Sequence, residues 1–172
     1  MISWLSFEWK TQGLSTAGAT VAPLVIRPAE KDEEDAVEKT ISSAFTMDPS
    51  WGDISRLIVA NVTANIAAKF ADPAPSCIVL LHGQRIVGAS LLDTAAGAPN
   101  HLLTGPCVLH EYRNRGLGSG LLLASLAFLA DHKIPLARGI TRAQSITARF
   151  IYPKFGGSPV PCESGPFESP GT

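Results

Sequence analysis

The chain has 172 residues, a mass of 18.1 kDa and a formal net charge of -1. At about 100–200 residues per domain this length predicts one domain, and 45% hydrophobic against 17% charged residues argues against overall disorder. The balanced charge gives no electrostatic basis for nucleic-acid binding, and the longest apolar run, from Leu121 to Ala130, is about half as long as a membrane span.

The first part of the chain predicts an arm, a short strand and two helices. Residues 1–22 show no clear periodicity and are expected to form an N-terminal arm, which leaves residues 23–172 as the single domain. A short β run at 24–26 follows. Apolar residues at spacings of three and four then predict one helix that starts near Asp32 and ends near Phe45, and a second helix over 54–70.

The second part of the chain predicts mainly strands, with one buried helix among them. The expected elements are a hairpin at 77–92 around His82-Gly83-Gln84, a strand at 102–109, a helix at 121–131, a strand at 135–140, a short helix at 145–152 and a last short strand near Val160. The order β-α-α-β-β-β-α-β-α predicts an α/β (α+β) domain with a mixed sheet.

Cysteine and histidine usage predicts neither a metal site nor a disulfide framework. Cys77, Cys107 and Cys162 are far apart, no CxxC pair exists, and the four histidines are scattered. We therefore expect reduced thiols and a cytoplasmic protein. Glu8 interrupts the apolar start of the chain and no basic region precedes it, so no secretory signal is expected.

The segment from Val108 to Gly120, VLHEYRNRGLGSG, carries the most chemical information. It lies between a predicted strand and the predicted buried helix. Glycines let the backbone approach a ligand closely, and the first amides of a helix lack intrahelical partners and attract anions. Arg113 and Arg115 add positive charge, so this segment is a candidate pyrophosphate cradle. The P-loop pattern is absent, and Leu121 stands where a dinucleotide-binding GxGxxG needs glycine.

The spacing Arg113-x-x-Gly116-x-Gly118 resembles the acetyl-CoA signature (Q/R)xxGx(G/A) of the GCN5-related N-acetyltransferase (GNAT) family. The resemblance extends over residues 24–157 in the order of the family's elements. It implies the GNAT-like acyl-CoA N-acyltransferase fold, in which helices flank a mixed, mostly antiparallel central sheet.

Three further segments carry this resemblance. The start at 24–29 looks like the family's first strand, and the hairpin at 77–92 looks like its second and third strands. The segment at 148–156, ARFIYPKFG, resembles a later motif in which a helix carries a tyrosine and ends in a glycine. The chain departs from the family pattern at Ser145, where Asn is frequent, and at Gly157, where an aromatic residue commonly follows the glycine.

The resemblance implies acetyl-CoA as cosubstrate and no metal. Two splayed strands of the family admit the pantetheine arm, which bonds to the backbone like an extra strand. The residues that would hold the cofactor are Cys107 and Val108 for pantetheine, and the amides of Arg113, Arg115, Gly116, Gly118 and Ser119 for pyrophosphate.

By the same resemblance, Tyr152 occupies the position that often protonates the departing CoA thiolate, a task that suits its ordinary pKa near 10. Phe45, Asp48 and Trp51 lie between the first two helices, where the family receives the acceptor. No general base is evident. A covalent acyl-enzyme on Cys107 would need an activating His or cation nearby. The preferred interpretation of Cys107 is instead a buried residue of the predicted strand.

The implied function is transfer of an acetyl group from acetyl-CoA to an amine by direct attack. A small-molecule amine, a protein N-terminus and a lysine are all allowed as acceptors, and acyl transfer to another group stays open. The alternative is a non-catalytic acyl-CoA-binding sensor or interaction module, which the missing base motivates. A homodimer is open as well, because the apolar helix could be buried in one chain or between two.

Overall fold

The computed structural model describes residues 3–14 and 23–166 of the chain. Two antiparallel sheets are flanked by helices, so the expected mixed α/β architecture is confirmed. The principal elements are β1 (Trp4–Lys10), β2 (Leu24–Pro28), α1 (Glu34–Thr46), α2 (Ser55–Phe70), β3 (Cys77–His82), β4 (Arg85–Leu91), β5 (Cys107–Val108), α3 (Leu117–Asp131), β6 (Leu136–Arg142) and β7 (Ser158–Cys162).

The first sheet has the order β2-β3-β4-β5. Its central hairpin lies where the sequence predicts it, but the pair His82 and Arg85 closes the ladder, so the turn has two residues instead of three. The predicted strand at 102–109 is reduced to β5 and an isolated bridge between Leu92 and Leu102. Gly105 and Pro106 interrupt it, since proline cannot donate to a ladder.

The second sheet has the order β6-β1-β7, and its middle strand comes from the predicted arm. The prediction of an arm is therefore wrong for Trp4–Lys10, and residues 1–2 and 15–22 of that arm lie outside the described part of the chain. Phe7 and Trp9 are buried on one face of this strand, and Trp4 is buried on the other. Leu5, Phe7 and Trp9 alternate with Ser6, Glu8 and Lys10, a period of two that is typical of a half-buried strand and that the expectation of an arm did not take into account.

The helices cover the two faces of the first sheet. The helices α1 and α2 pack with one core that includes Val37, Ile41 and Ile58, whereas α3 packs with a second core through buried leucines. The helix α3 begins at Leu117, earlier than predicted, because Gly116 at its N-terminus adopts a left-handed conformation with φ of 73°. Within residues 3–14 and 23–166, no helix combines the length and apolarity needed to cross a membrane.

The two sheets touch at one end and separate at the other. The amides of His101 and Leu102 both donate to the carbonyl of Arg138 in β6, at 2.8 and 3.2 Å. Beyond this junction, no strand pairing joins β5 to β6 in the described residues. The resulting opening between the sheets positions the site described next.

Candidate active site

A cavity of about 270 Å³ lies in the opening between the sheets. Its wall combines β5, the loop after it, the start of α3, the end of α1 and the segment after β6. Of the residues predicted from the sequence, it includes Phe45, Asp48, Trp51, Cys107, Val108, Arg113, Gly116, Gly118 and Ser119. Arg115 and Tyr152 are not part of the wall. One cavity thus brings together residues predicted for a cofactor and residues predicted for an acceptor.

The backbone of β5 offers polar groups to this cavity. The Leu109 amide donates to the Val87 carbonyl of β4 at 2.9 Å. In an antiparallel pair, neighbouring residues alternate between facing the partner and facing away. The backbone groups of Val108 therefore point away from β4 and into the opening, where Arg113 Nε donates to the Val108 carbonyl at 3.3 Å.

The start of α3 forms the second wall. Gly118 and Ser119 occupy the first turn, where backbone amides have no intrahelical acceptor. Lys154 Nζ donates to Ser119 Oγ at 2.8 Å and brings a positive charge to the same place. A Cβ at Gly118 would lie 2.9 Å from Ile151 Cδ1, so a glycine lets α3 approach this wall closely. The geometry and charge suit an anion.

The two arginines of the loop have different environments. The Arg113 side chain is only 21% exposed, and its guanidinium donates to the Ala44 carbonyl at 2.8 Å. This carbonyl belongs to the last turn of α1, where carbonyls lack helical partners. Arg115 instead packs over the Tyr112 ring at 5.5 Å, outside the cavity wall. Only Arg113 therefore presents its side chain to the cavity.

The predicted acceptor residues lie around the end of α1. Phe45 and Trp51 contact each other edge to face, with centroids 5.3 Å apart. Asp48 Oδ1 accepts from the Ser50 amide at 3.0 Å and from Ser50 Oγ at 2.7 Å, while its Oδ2 lies 4.0 Å from Arg113 Nη1. Among the described residues that line the cavity, Asp48 is the one that carries a carboxylate.

Arg142, at the end of β6, holds this loop from the other side. Its guanidinium makes a bidentate pair with Asp53 at 2.6 and 2.7 Å and donates to the Ser50 carbonyl at 2.7 Å. The hydrogen bonds and the charge of Arg142 lower the pKa of Asp53 to about 2. No sequence pattern predicts this pairing, because Asp53 and Arg142 are 89 positions apart along the chain.

Tyr152 lies behind the wall, with 1% of its surface exposed. Its ring meets Phe7 and Trp9 edge to face, and its hydroxyl lies against Gly105, where a Cβ would be 2.5 Å away. Gly105 is flanked by Thr104 and Pro106, both in the cavity wall. Burial raises the pKa of the Tyr152 phenol above its ordinary value, so the hydroxyl keeps its proton at neutral pH.

Cys107 lines the cavity but is not set up as a nucleophile. Its Sγ lies 3.7 Å from the Thr104 carbonyl and 3.6 Å from the Gly105 carbonyl, which are acceptors rather than bases that would form a thiolate. Burial raises the pKa of the Cys107 thiol to about 12. This environment favours the neutral thiol.

The cavity wall also contains residues that the sequence did not single out, among them Thr104, Thr141, Ile146, Phe150 and Lys154. Lys154 lies in the motif quoted at 148–156, so that resemblance was a signal for it. Ile146 and Phe150 are 50% and 63% exposed, unusual for large apolar side chains. The helix predicted over 145–152 is a π-helical turn, Thr147–Ile151, which turns these side chains toward the cavity.

A family model described as the acetyltransferase (GNAT) family matches residues 40–156. A mycothiol acetyltransferase from Acidimicrobium ferrooxidans is 32% identical over 137 residues, which is 76% of this chain and 41% of that protein. Residues 40–156, which the family model matches, include the glycine loop, the cavity-wall residues from the end of α1 onward, and Tyr152.

Solved structures show the same fold. A GCN5-related N-acetyltransferase from Sphaerobacter thermophilus superposes with a TM-score of 0.68 at 17% identity, over 93% of this chain and 49% of that one. A tandem GNAT protein of the clavulanic acid biosynthesis pathway superposes with a TM-score of 0.60 at 15% identity, over 94% of this chain and 51% of that one. The chain thus spans about half the length of the relatives it matches, or less.

Cysteine labelling tests the environment of Cys107. Burial raises the pKa of both Cys77 and Cys107 to about 12, so at pH 8 their thiolate fraction is roughly 1,000-fold below that of an ordinary cysteine. We expect iodoacetamide to label the half-buried Cys162 of the native protein first, and the other two only after unfolding or at strongly alkaline pH. Peptide mass mapping is the readout. Labelling of Cys107 at the rate of Cys162 would contradict its neutral thiol.

Proposed function

Because the chain belongs to the GNAT acetyltransferase family, we propose that it transfers an acetyl group from acetyl-CoA to an amine. Members of this family use acetyl-CoA as cosubstrate. The observation that carries the proposal is the cavity that joins a helix N-terminus, an unpaired strand edge and a carboxylate-bearing loop. A non-catalytic acyl-CoA sensor would need the helix N-terminus and the unpaired strand edge, but not the loop that carries a carboxylate.

The cofactor end of the cavity is proposed at β5 and α3. The Val108 amide, which points into the opening, would pair with an amide of pantetheine as a neighbouring strand does. The amides of the glycine loop, from Arg113 to Ser119, would receive the pyrophosphate, assisted by Lys154. Ile146 and Phe150 would be covered by the pantetheine chain, which accounts for their exposure.

The acceptor end is proposed at Phe45, Asp48 and Trp51. Asp48 Oδ2 makes no close hydrogen bond in its contact with Arg113 at 4.0 Å, so this oxygen is available to an amine. The two aromatic rings would contact apolar parts of the acceptor. The relative named as a mycothiol acetyltransferase makes a small-molecule amine the first class of acceptor to test, before a peptide N-terminus or a lysine.

The reaction proposed is direct attack. The neutral amine nitrogen forms a bond to the thioester carbonyl carbon, the carbon–sulfur bond breaks, and the amine proton leaves to Asp48 or solvent. Tyr152 donates its proton to the departing thiolate, since its buried phenol is protonated at neutral pH. Cys107 takes no covalent part, because its thiol is neutral. The backbone amide of Arg115 would bind the pyrophosphate, and its side chain would remain outside the cavity.

We further propose that β1 and the elements from β2 to β7 form one domain, since β1 is the middle strand of the second sheet. This extends the predicted domain at 23–172 toward the N-terminus. A cytoplasmic location is proposed from the three free cysteines, two of them buried.

Calorimetric titration with acetyl-CoA tests the cofactor end. We expect micromolar binding by the wild type and at least a roughly 100-fold weaker Kd for Gly118→Glu, because a carboxylate in the anion cradle repels pyrophosphate. Gly97→Glu adds the same charge in an exposed turn with open space around it and should bind like the wild type. A folded wild type that does not bind acetyl-CoA would exclude the proposed function.

The acceptor end is tested with Asp48→Asn, which keeps an oxygen for the Ser50 amide but loses the charge. We expect the KM for the amine to rise about tenfold or more, as for a lost charge-assisted hydrogen bond, with the Kd for acetyl-CoA within twofold. Thiol release with a panel of amines is the measurement. Asp72→Asn is the control, because Asp72 also accepts a hydrogen bond from a backbone amide in a turn but is not part of the cavity wall. An unchanged KM would remove Asp48 from acceptor recognition.

Tyr152→Phe tests the general acid. The substitution removes only the hydroxyl beside Gly105 and keeps the ring contacts with Phe7 and Trp9. We expect kcat to fall by about 100-fold, in the range for general acid catalysis, while acetyl-CoA affinity stays within twofold. Steady-state kinetics with the best amine of the panel is the measurement, and an unchanged kcat would exclude Tyr152 from proton transfer.

A further inference from the structure

We propose that Trp9, from the N-terminal strand β1, is the positioning residue for Tyr152: its indole fixes the backbone and ring of Tyr152 so that the phenol lies against Gly105, between the cavity-wall residues Thr104 and Pro106. The inference rests on the proposed function, and it names a residue outside the region that the family model matches, 40–156. Through its indole N–H, Trp9 contacts Lys154, which is a residue of the cavity wall, and Tyr152, which lies behind that wall.

The contacts between Trp9 and the tyrosine segment are polar and aromatic at once. The indole N–H is shared between the Tyr152 carbonyl at 3.2 Å and the Lys154 carbonyl at 3.0 Å. The two rings meet edge to face, with centroids 5.0 Å apart and planes at 88°. Trp9 is fully buried and Tyr152 is 1% exposed. Both the main chain and the ring of Tyr152 are therefore fixed by one side chain.

The tyrosine segment needs such an anchor because it is not held by regular helix. Its turn is π-helical, with the Tyr152 amide donating to the Thr147 carbonyl at 2.8 Å. Pro153 follows and has no amide to donate, and Phe155 has a φ of 60°, which helices do not tolerate. Carbonyls at such a helix end lack helical donors. The indole N–H of Trp9 is one donor that two of these carbonyls, those of Tyr152 and Lys154, share.

Two glycines make room for this arrangement. At Gly157 a Cβ would overlap the Tyr152 carbonyl oxygen and lie 2.6 Å from Trp9 Nε1. This is the position where the resembling family commonly has an aromatic residue, so the departure has a steric reason in this chain. At Gly105, with φ of 66°, a Cβ would lie 2.5 Å from the Tyr152 hydroxyl. The absence of a side chain at Gly157 lets Trp9 pack against Tyr152, and its absence at Gly105 lets the Tyr152 hydroxyl lie next to the residues of the cavity wall.

A double-mutant cycle tests the proposal on the full chain. Trp9→Phe removes the indole N–H and keeps an aromatic ring. We expect kcat to fall ten- to a hundredfold, because a misplacement of about 1 Å has effects of that size, with the KM for acetyl-CoA within twofold. In the Tyr152→Phe background, Trp9→Phe should change kcat less than twofold, since the group that it positions is already gone. Independent, multiplicative losses would overturn the proposal.

A spectroscopic readout does not depend on activity. The chain has only two tyrosines, Tyr112 and Tyr152, so protein labelled with ¹³C at the tyrosine Cζ gives two signals, and Tyr152→Phe assigns them. Trp9→Phe should shift the Tyr152 signal and leave that of Tyr112 in place. An unmoved Tyr152 signal would overturn the proposal. If no amine is turned over, the proposed function fails, and this readout still decides whether Trp9 sets the environment of Tyr152.

Loss of stability is separated from loss of positioning by a matched control. Phe70→Leu removes part of a buried aromatic side chain at the end of α2 that is not part of the cavity wall, and should lower the unfolding free energy without a change in kcat. Should Trp9→Phe fail to fold, Trp9→His retains a ring N–H and serves in its place. A fall in kcat for Phe70→Leu equal to that for Trp9→Phe would assign the effect to stability and overturn the proposal.

Discussion

The opening between β5 and β6 is the constraint on which the rest of the site depends. The sheets are joined where His101 and Leu102 bond to Arg138, and they separate where β5 pairs only with β4. An unpaired strand edge in a protein interior must find partners for its amides and carbonyls. Here that edge opens into a cavity, so its backbone groups remain available to a ligand. The separation therefore creates both the space and the polar groups of the candidate site.

The strand β1 supports both sides of this opening. On one face Trp4 contacts Trp51, with ring centroids 6.1 Å apart, in the loop proposed for the acceptor. On the other face Trp9 holds Tyr152. Aromatic side chains bury large areas and prefer defined edge-to-face geometries, so they fix orientation as well as distance. A segment expected to be an arm thus connects the two walls whose spacing determines the cavity.

Two guanidinium groups hold the loop between α1 and α2 from opposite directions. Arg113, in the loop after β5, donates to the Ala44 carbonyl in the last turn of α1, and Arg142, at the end of β6, donates to Ser50 and Asp53. Both side chains are mostly shielded, at 21% and 15% exposure, and arginine presents several donors in one plane. The end of α1 and the loop that carries Asp48 are therefore held by groups on both sides of the opening, and the Asp48 carboxylate has a defined place in the cavity wall.

The sequence by itself determined the order of the elements from β2 to β7, the family, and the residues of the glycine loop, because these depend on local periodicity and on short motifs. The hairpin at 77–92 and the helix at 54–70 were predictable for the same reason. The place of Trp4–Lys10, the pairing of Arg142 with Asp53 and the contact of Trp9 with Tyr152 were decided by tertiary structure alone. Each joins residues about 90 to 160 positions apart, and no local pattern records which distant group will satisfy a buried donor or charge.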